Sequence, residues 1–176
     1  MSKHDKGRYI EAARRIISFR FLTDEEILDL LDVSEIRTFG TEEILVSEGD
    51  ISPYFFGIIE GSVSISVMES EGKSVYVDTL GPGDVFGEAG IFMKVKRTAT
   101  VAALGDVQAI MIHRKDLVRF IKTQPEAGNK ILLVIIYSLL RKLRKVNQEL
   151  AYERRSDIAQ DDIDAMVDDL FGDKDQ

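Results

Sequence analysis

The sequence predicts an α+β chain that is mainly β, an antiparallel jelly-roll β-barrel flanked by N-terminal helices and a long C-terminal helix. Three observations carry this expectation. Apolar residues recur at helical spacing before residue 36, at period two in short runs between Ile36 and Ile112, and in a heptad after Pro125. At 176 residues the chain suits one domain with a core and appendages. The expected division is an N-terminal amphipathic helix over 1–20, a β-roll with its C-terminal helix over 21–155, and an acidic tail over 156–176.

Tyr9, Ile10, Ala13, Ile16 and Ile17 form a stripe that predicts an amphipathic helix from Lys6 to Phe19, packed on the domain or used as a docking or membrane-surface element. A second helix is expected to begin at Thr23, because Thr23-Asp24-Glu25-Glu26 has the form of a capping box, in which the threonine hydroxyl and the glutamate carboxylate each accept from the other's backbone amide. Ile27, Leu28, Leu30 and Leu31 give its buried face.

Ile44-Leu45-Val46, Tyr54 to Ile59, Val63 to Val67, Val75-Tyr76-Val77, Val101 to Leu104 and Val107 to Ile112 are β-branched or aromatic runs bounded by turn residues. Val63, Ile65 and Val67 alternate with serines, so one face is buried and the other wet. Such strands, joined by turns at Glu71-Gly72-Lys73 and Gly81-Pro82-Gly83, argue for a closed antiparallel architecture.

His113-Arg114-Lys115-Asp116 opens a short helix through Lys122, and Pro125 starts a long one. Leu132, Ile136, Leu139, Leu143, Val146 and Leu150 recur at alternating spacings of four and three, a heptad seam suited to a parallel homodimer or to packing within the chain. Ile131, Leu133, Val134, Ile135 and Leu140 widen the early apolar face, so the same helix is expected to cover its own β-roll. In the tail, Ile163, Met166, Val167 and Leu170 stand at i, i+3, i+4 and i+7 and predict a short amphipathic helix, marginal alone and suited to docking on a partner. Self-packing and a solubilising role are its alternatives.

Composition excludes several classes. With no cysteine there is no disulfide or thiolate metal site. The two histidines, His4 and His113, have no metal-ligand spacing, and no metal is expected. The longest apolar run, Ile131 to Tyr137, is seven residues, so no membrane span is expected and the protein is expected to be cytoplasmic. Gly72-Lys73-Ser74 ends like a phosphate loop, but Val67 stands where its first glycine belongs. No nucleophile elbow is present, and the chain is not expected to be an enzyme. Net charge is −8, and the tail's eight aspartates and one lysine supply nearly all of it. Such a field disfavours DNA, although Arg141-Lys142-Leu143-Arg144-Lys145 forms a local basic strip.

The stretch from Phe86 to Val101 carries the chemistry. A cyclic monophosphate presents one negative charge on two exocyclic oxygens and a ribose with a free 2′-hydroxyl. The guanidinium of Arg97 can grip both oxygens as a fork, and the carboxylate of Glu88 can accept from the hydroxyl. Gly87, Ala89 and Gly90 let the backbone approach at the start of a short helical turn, and Thr98 and Ala99 offer further amides. The alternative is a glycine-rich turn with a surface ion pair.

These residues, with Glu48-Gly49-Asp50, the run Phe56 to Gly61 and Leu80-Gly81-Pro82-Gly83-Asp84, resemble the cyclic-nucleotide-binding domains of catabolite activators and protein kinase A regulatory subunits. The likeness spans roughly Phe21 to Leu150, with Ala89 and Lys96 departing from the pattern without removing a polar contact. It implies a cAMP or cGMP site with Glu88 on the ribose, Arg97 on the phosphate, and Phe86, Gly87, Ala89, Thr98 and Ala99 around it. It also implies a lid on the long helix, with Tyr137 and Arg141 as candidates, and a dimer through the same helix. Residues 159–166 are similar to a terminal segment of flagellar motor switch proteins that binds a phosphorylated response regulator. The expected function is a stand-alone cyclic-nucleotide receptor that signals to a separate protein effector. The alternative is a ligand-free scaffold that docks partners through its tail or helices.

Overall fold

The structure, a computed structural model, describes residues 7–69, 72–93 and 95–171, with side chains as far as Tyr152. It divides into two units, Met1–Ile135 and Ile136–Gln176.

The first unit holds two four-stranded antiparallel sheets. Strands β1 (Glu35–Phe39), β8 (Val107–His113), β3 (Tyr54–Glu60) and β6 (Val85–Phe86) form one, in that order. Strands β2 (Ile44–Val46), β7 (Thr100–Ala103), β4 (Val63–Met68) and β5 (Ser74–Leu80) form the other. Two apolar cores explain the sequence of the first sheet. Phe56, Ile58, Val107, Ala109 and Met111 join one core with Val63, Val101 and Ala103 of the second sheet. Phe55, Ile110 and Ile112 point the other way, into a core with the helices. β3 and β8 are thus buried on both faces, which is why they read as nearly continuous apolar runs rather than alternating ones. β1 and β6 fall outside the expected strands. β1 buries only Phe39 well, and β6 is two residues long.

The N-terminal helix is shorter than its stripe suggests. Helix α1 spans Ile10–Arg15, and a 3-10 turn follows at Ile17–Phe19. The break has a physical cause: Ile16 is extended, and Ile17 donates its amide to Gly83 O at 2.8 Å instead of continuing the helix. Ile16 and Phe19 are both fully buried as a result. The expected start at Lys6 lies outside the described residues, as does Glu71 of the expected turn. Helix α2, Asp24–Asp32, has the predicted capping box, with Glu26 N to Thr23 Oγ1 at 3.2 Å and Thr23 N to Glu26 Oε2 at 2.7 Å.

Between β6 and β7 lies one helical turn, α3 (Ala89–Phe92). After β8 come α4 (Arg114–Thr123), with His113 as its N-cap, and α5 (Pro125–Phe171). Gln124 ends α4, and Pro125 suits the first position of α5. The tail helix expected around Ile163 is not separate, because α5 runs on without interruption, with neither glycine nor proline between residues 129 and 171 to break it. The side chains of Ile163, Met166, Val167 and Leu170 lie outside those described. Within the second unit, Ile136, Leu139, Leu143, Val146 and Leu150 of the heptad seam are each 39–57% exposed. Leu132, in the first unit, is half-buried.

Candidate functional site

The loop that carries Glu88 is aimed by β6. Phe86 pairs with Phe56 and stacks on it, ring centroids 4.6 Å apart. Phe86 was expected around the ligand, but its side chain is buried in the inter-sheet core, where it fixes the exit of the loop. Gly87 then turns the chain at φ +88°, a conformation that side chains other than glycine's rarely adopt. Glu88 starts the helical turn, and Ile91 anchors it from below. Gly90 N to Gly87 O and Ile91 N to Glu88 O, both at 3.1 Å, close that turn.

The far end of the loop is held by its backbone. Arg97 N donates to Asp50 O, and Arg97 O accepts from Gly49 N, each at 2.8 Å. The Glu48-Gly49-Asp50 stretch is therefore the clamp that presents Arg97. Thr98 is exposed and Ala99 half-buried beyond it, and Ala89 is exposed on the helical turn.

The side chain of Arg97 lies inside this frame. Its Nη2 donates to Ser52 O at 2.9 Å and Tyr54 O at 2.5 Å, while Nε is buried without a hydrogen-bond partner. Burial pushes the guanidinium's pKa down, and the nearby Glu88 charge opposes the shift. Glu88 is itself only 6% exposed. The glycines make room: a Cβ on Gly87 would lie 2.9 Å from Arg97 Nη1, and one on Gly90 would lie 3.4 Å from both Nη1 and Nη2. A buried donor left unpaired costs about 1–3 kcal/mol, and Nε is such a donor.

The structure thus brings Gly87, Glu88, Gly90 and Arg97 into one cluster. Tyr137 and Arg141, the expected lid residues, are exposed on the helix of the second unit. Three contributors were not legible beforehand. The Ser52 and Tyr54 carbonyls carry no side-chain signal. Arg114 ties β8 and α4 to the loop, with its amide on Pro53 O at 2.7 Å and its Nε on Ile91 O at 2.8 Å. Among the described residues there is no His, Asp and Glu cluster fit for a metal ion, and no helix is long and apolar enough to cross a membrane.

Residues 36–124 match the family model described as the cyclic nucleotide-binding domain. A CRP-like cAMP-activated global transcriptional regulator of Mycobacterium tuberculosis is 32% identical over 113 residues, which is 64% of this chain and 49% of that protein. The chain therefore spans about half the length of that relative. The N-terminal domain of a transcriptional regulator from Streptomyces coelicolor A3(2) superposes with a TM-score of 0.66 at 27% identity, covering 79% of this chain and 94% of that one. A cyclic nucleotide-binding domain from Methylobacillus flagellatus KT shares the fold, with a TM-score of 0.72 at 20% identity over 79% of this chain and 80% of the other.

Proposed function

This chain belongs to the family of cyclic nucleotide-binding domains, and from that premise we propose that it is a receptor for cAMP that changes conformation on binding and signals to a separate protein. The observation that carries the reading is the buried, unpartnered Nε of Arg97 beside the buried carboxylate of Glu88. A cyclic phosphate supplies what this guanidinium lacks, two acceptor oxygens in the plane of the fork. Glu88 then serves the ribose 2′-hydroxyl, and its charge offsets the cost of burying Arg97. Amides of the Gly87 turn and of Thr98 and Ala99 complete the cradle. The cAMP-activated relative supports cAMP as the ligand, with cGMP as the competitor to test.

Binding has a mechanical consequence in this proposal. To face a phosphate with Nε and Nη2, Arg97 exchanges the carbonyls of Ser52 and Tyr54 for ligand oxygens. Pro53 lies between them and holds the amide that opens α4, so the exchange reaches the helices. Tyr137 and Arg141 then act as lid residues and the exposed seam joins two copies. No catalytic step is involved. A differential affinity of about 3 kcal/mol between the two conformations shifts their ratio more than a hundredfold, enough for a switch. Calorimetric titration with cAMP and cGMP tests the reading: saturable binding of cAMP is expected, and no heat with either at millimolar ligand rejects it.

A further inference from the structure

A groove of about 600 Å³ is lined by residues 51–53, by Gly90, Met93 and Val95 of the loop that carries α3, and by the start of α4. Its walls are apolar: Ile51, Pro53, Met93, Val95 and Val118. Ile51 and Met93 are more than half exposed, and Phe92 beside them is 46% exposed, so the apolar surface continues outside the groove. One edge differs. His113, Arg114 and Lys115 follow one another there at the start of α4, where the helix end adds positive potential. Lys115 is exposed and has no ion-pair partner among the described residues, while Asp116 is paired with Arg119 at 2.6 Å.

We infer that this groove docks an acidic amphipathic helix of the partner protein, and the inference rests on the proposed signalling to a separate protein. Charge complementarity selects the occupant: the lining carries two cations, Arg114 and Lys115, and no acidic residue, which favours carboxylates beside apolar side chains. The size fits, because cavities of this volume hold a drug-sized group, roughly two or three apolar anchors of a helix. The groove also shares a wall with the nucleotide site. Ser52 and Gly90 line it, and the same residues border the guanidinium of Arg97. Withdrawal of Arg97 from Ser52 O therefore alters the groove.

The test is fluorescence anisotropy of a labelled peptide with Leu at i, i+3, i+4 and i+7 and Glu elsewhere, titrated with the full chain, and of the same peptide with Lys in place of Glu. The Glu peptide is expected to saturate and the Lys peptide to bind at least about tenfold more weakly. Met93→Asp and Lys115→Glu, both on exposed side chains, are expected each to weaken the Glu peptide by about fivefold or more while leaving cAMP binding within about twofold. Absence of peptide binding, or binding indifferent to both variants, overturns the docking site. Self-association abolished by Met93→Asp assigns the groove to a second copy and overturns the partner. Equal peptide affinity with and without saturating cAMP overturns the output role. Calorimetry on the same samples separates the two readings: a chain that binds cAMP but no peptide loses only the groove, and one that binds peptide but no cAMP loses only the receptor.

Discussion

Arg97 donates from Nη2 to the carbonyl oxygen of Ser52 at 2.9 Å, so the guanidinium that is proposed to hold a phosphate is held by the chain's own backbone. The loop around it has been shaped to that guanidinium, and the most exacting position is Gly87.

Gly87→Ala is expected to lower stability by about 1–3 kcal/mol, from the cost of a positive φ for alanine and from crowding of its Cβ. That Cβ would stand 2.7 Å from Tyr54 O and 2.9 Å from Arg97 Nη1. Denaturant melts of the two proteins measure the loss, and an unchanged midpoint contradicts the geometry.

Glu88→Gln keeps the shape of the side chain and an acceptor oxygen while removing the charge that offsets Arg97's burial. A charged acceptor exceeds a neutral one by roughly 1 kcal/mol, so cAMP affinity is expected to fall about tenfold or less. A larger loss for Glu88→Ala in the same titration is the accompanying expectation.

The ion pair between Glu26 and Lys130, 2.8 Å long, joins α2 to the start of α5 and sets a pH window. Burial alone would raise the Glu26 carboxyl, but hydrogen bonds from Lys130 and the Thr23 amide outweigh it and hold its pKa below the ordinary range. The contact with Glu26 raises the Lys130 ammonium above its ordinary range, against the opposing effect of burial. The stability due to Glu26 is therefore present above the usual carboxylate pKa and lost as pH falls through the lowered one, and that due to Lys130 is present below the usual lysine pKa and lost as pH rises through the raised one. Thermal melts against pH are expected to show both limbs, and Glu26→Gln is expected to flatten the acid limb.

The seam makes the oligomeric state testable. Leu143 is 57% exposed in the single chain. Sedimentation equilibrium is expected to find a dimer for the native chain and a monomer for Leu143→Asp, since a charge at a heptad core position removes one knob and buries a carboxylate. A native monomer contradicts the seam.

The parts of this protein that were legible in the sequence are those written in side chains. The capping box at Thr23 and Glu26 formed as spelled, and the β-branched runs became strands in two antiparallel sheets. Glu88 and Arg97 came within electrostatic reach. What stayed hidden is written in backbone or in tertiary context. The carbonyls that hold Arg97 belong to Ser52 and Tyr54, whose side chains announce nothing. Phe86 was named for its place beside Gly87 and Glu88, and the ring it stacks on, Phe56, lies thirty residues earlier. The break at Ile16 came from a hydrogen bond to Gly83, a contact that no local helical pattern encodes.

Arg97 is proposed to grip a cyclic phosphate. The most direct test is calorimetric titration of cAMP into the native chain and Arg97→Ala side by side. Two charge-assisted hydrogen bonds of about 1.5 kcal/mol or more each predict an affinity loss of at least about a hundredfold in the variant. Equal affinity for the two proteins would show that Arg97 does not hold the phosphate.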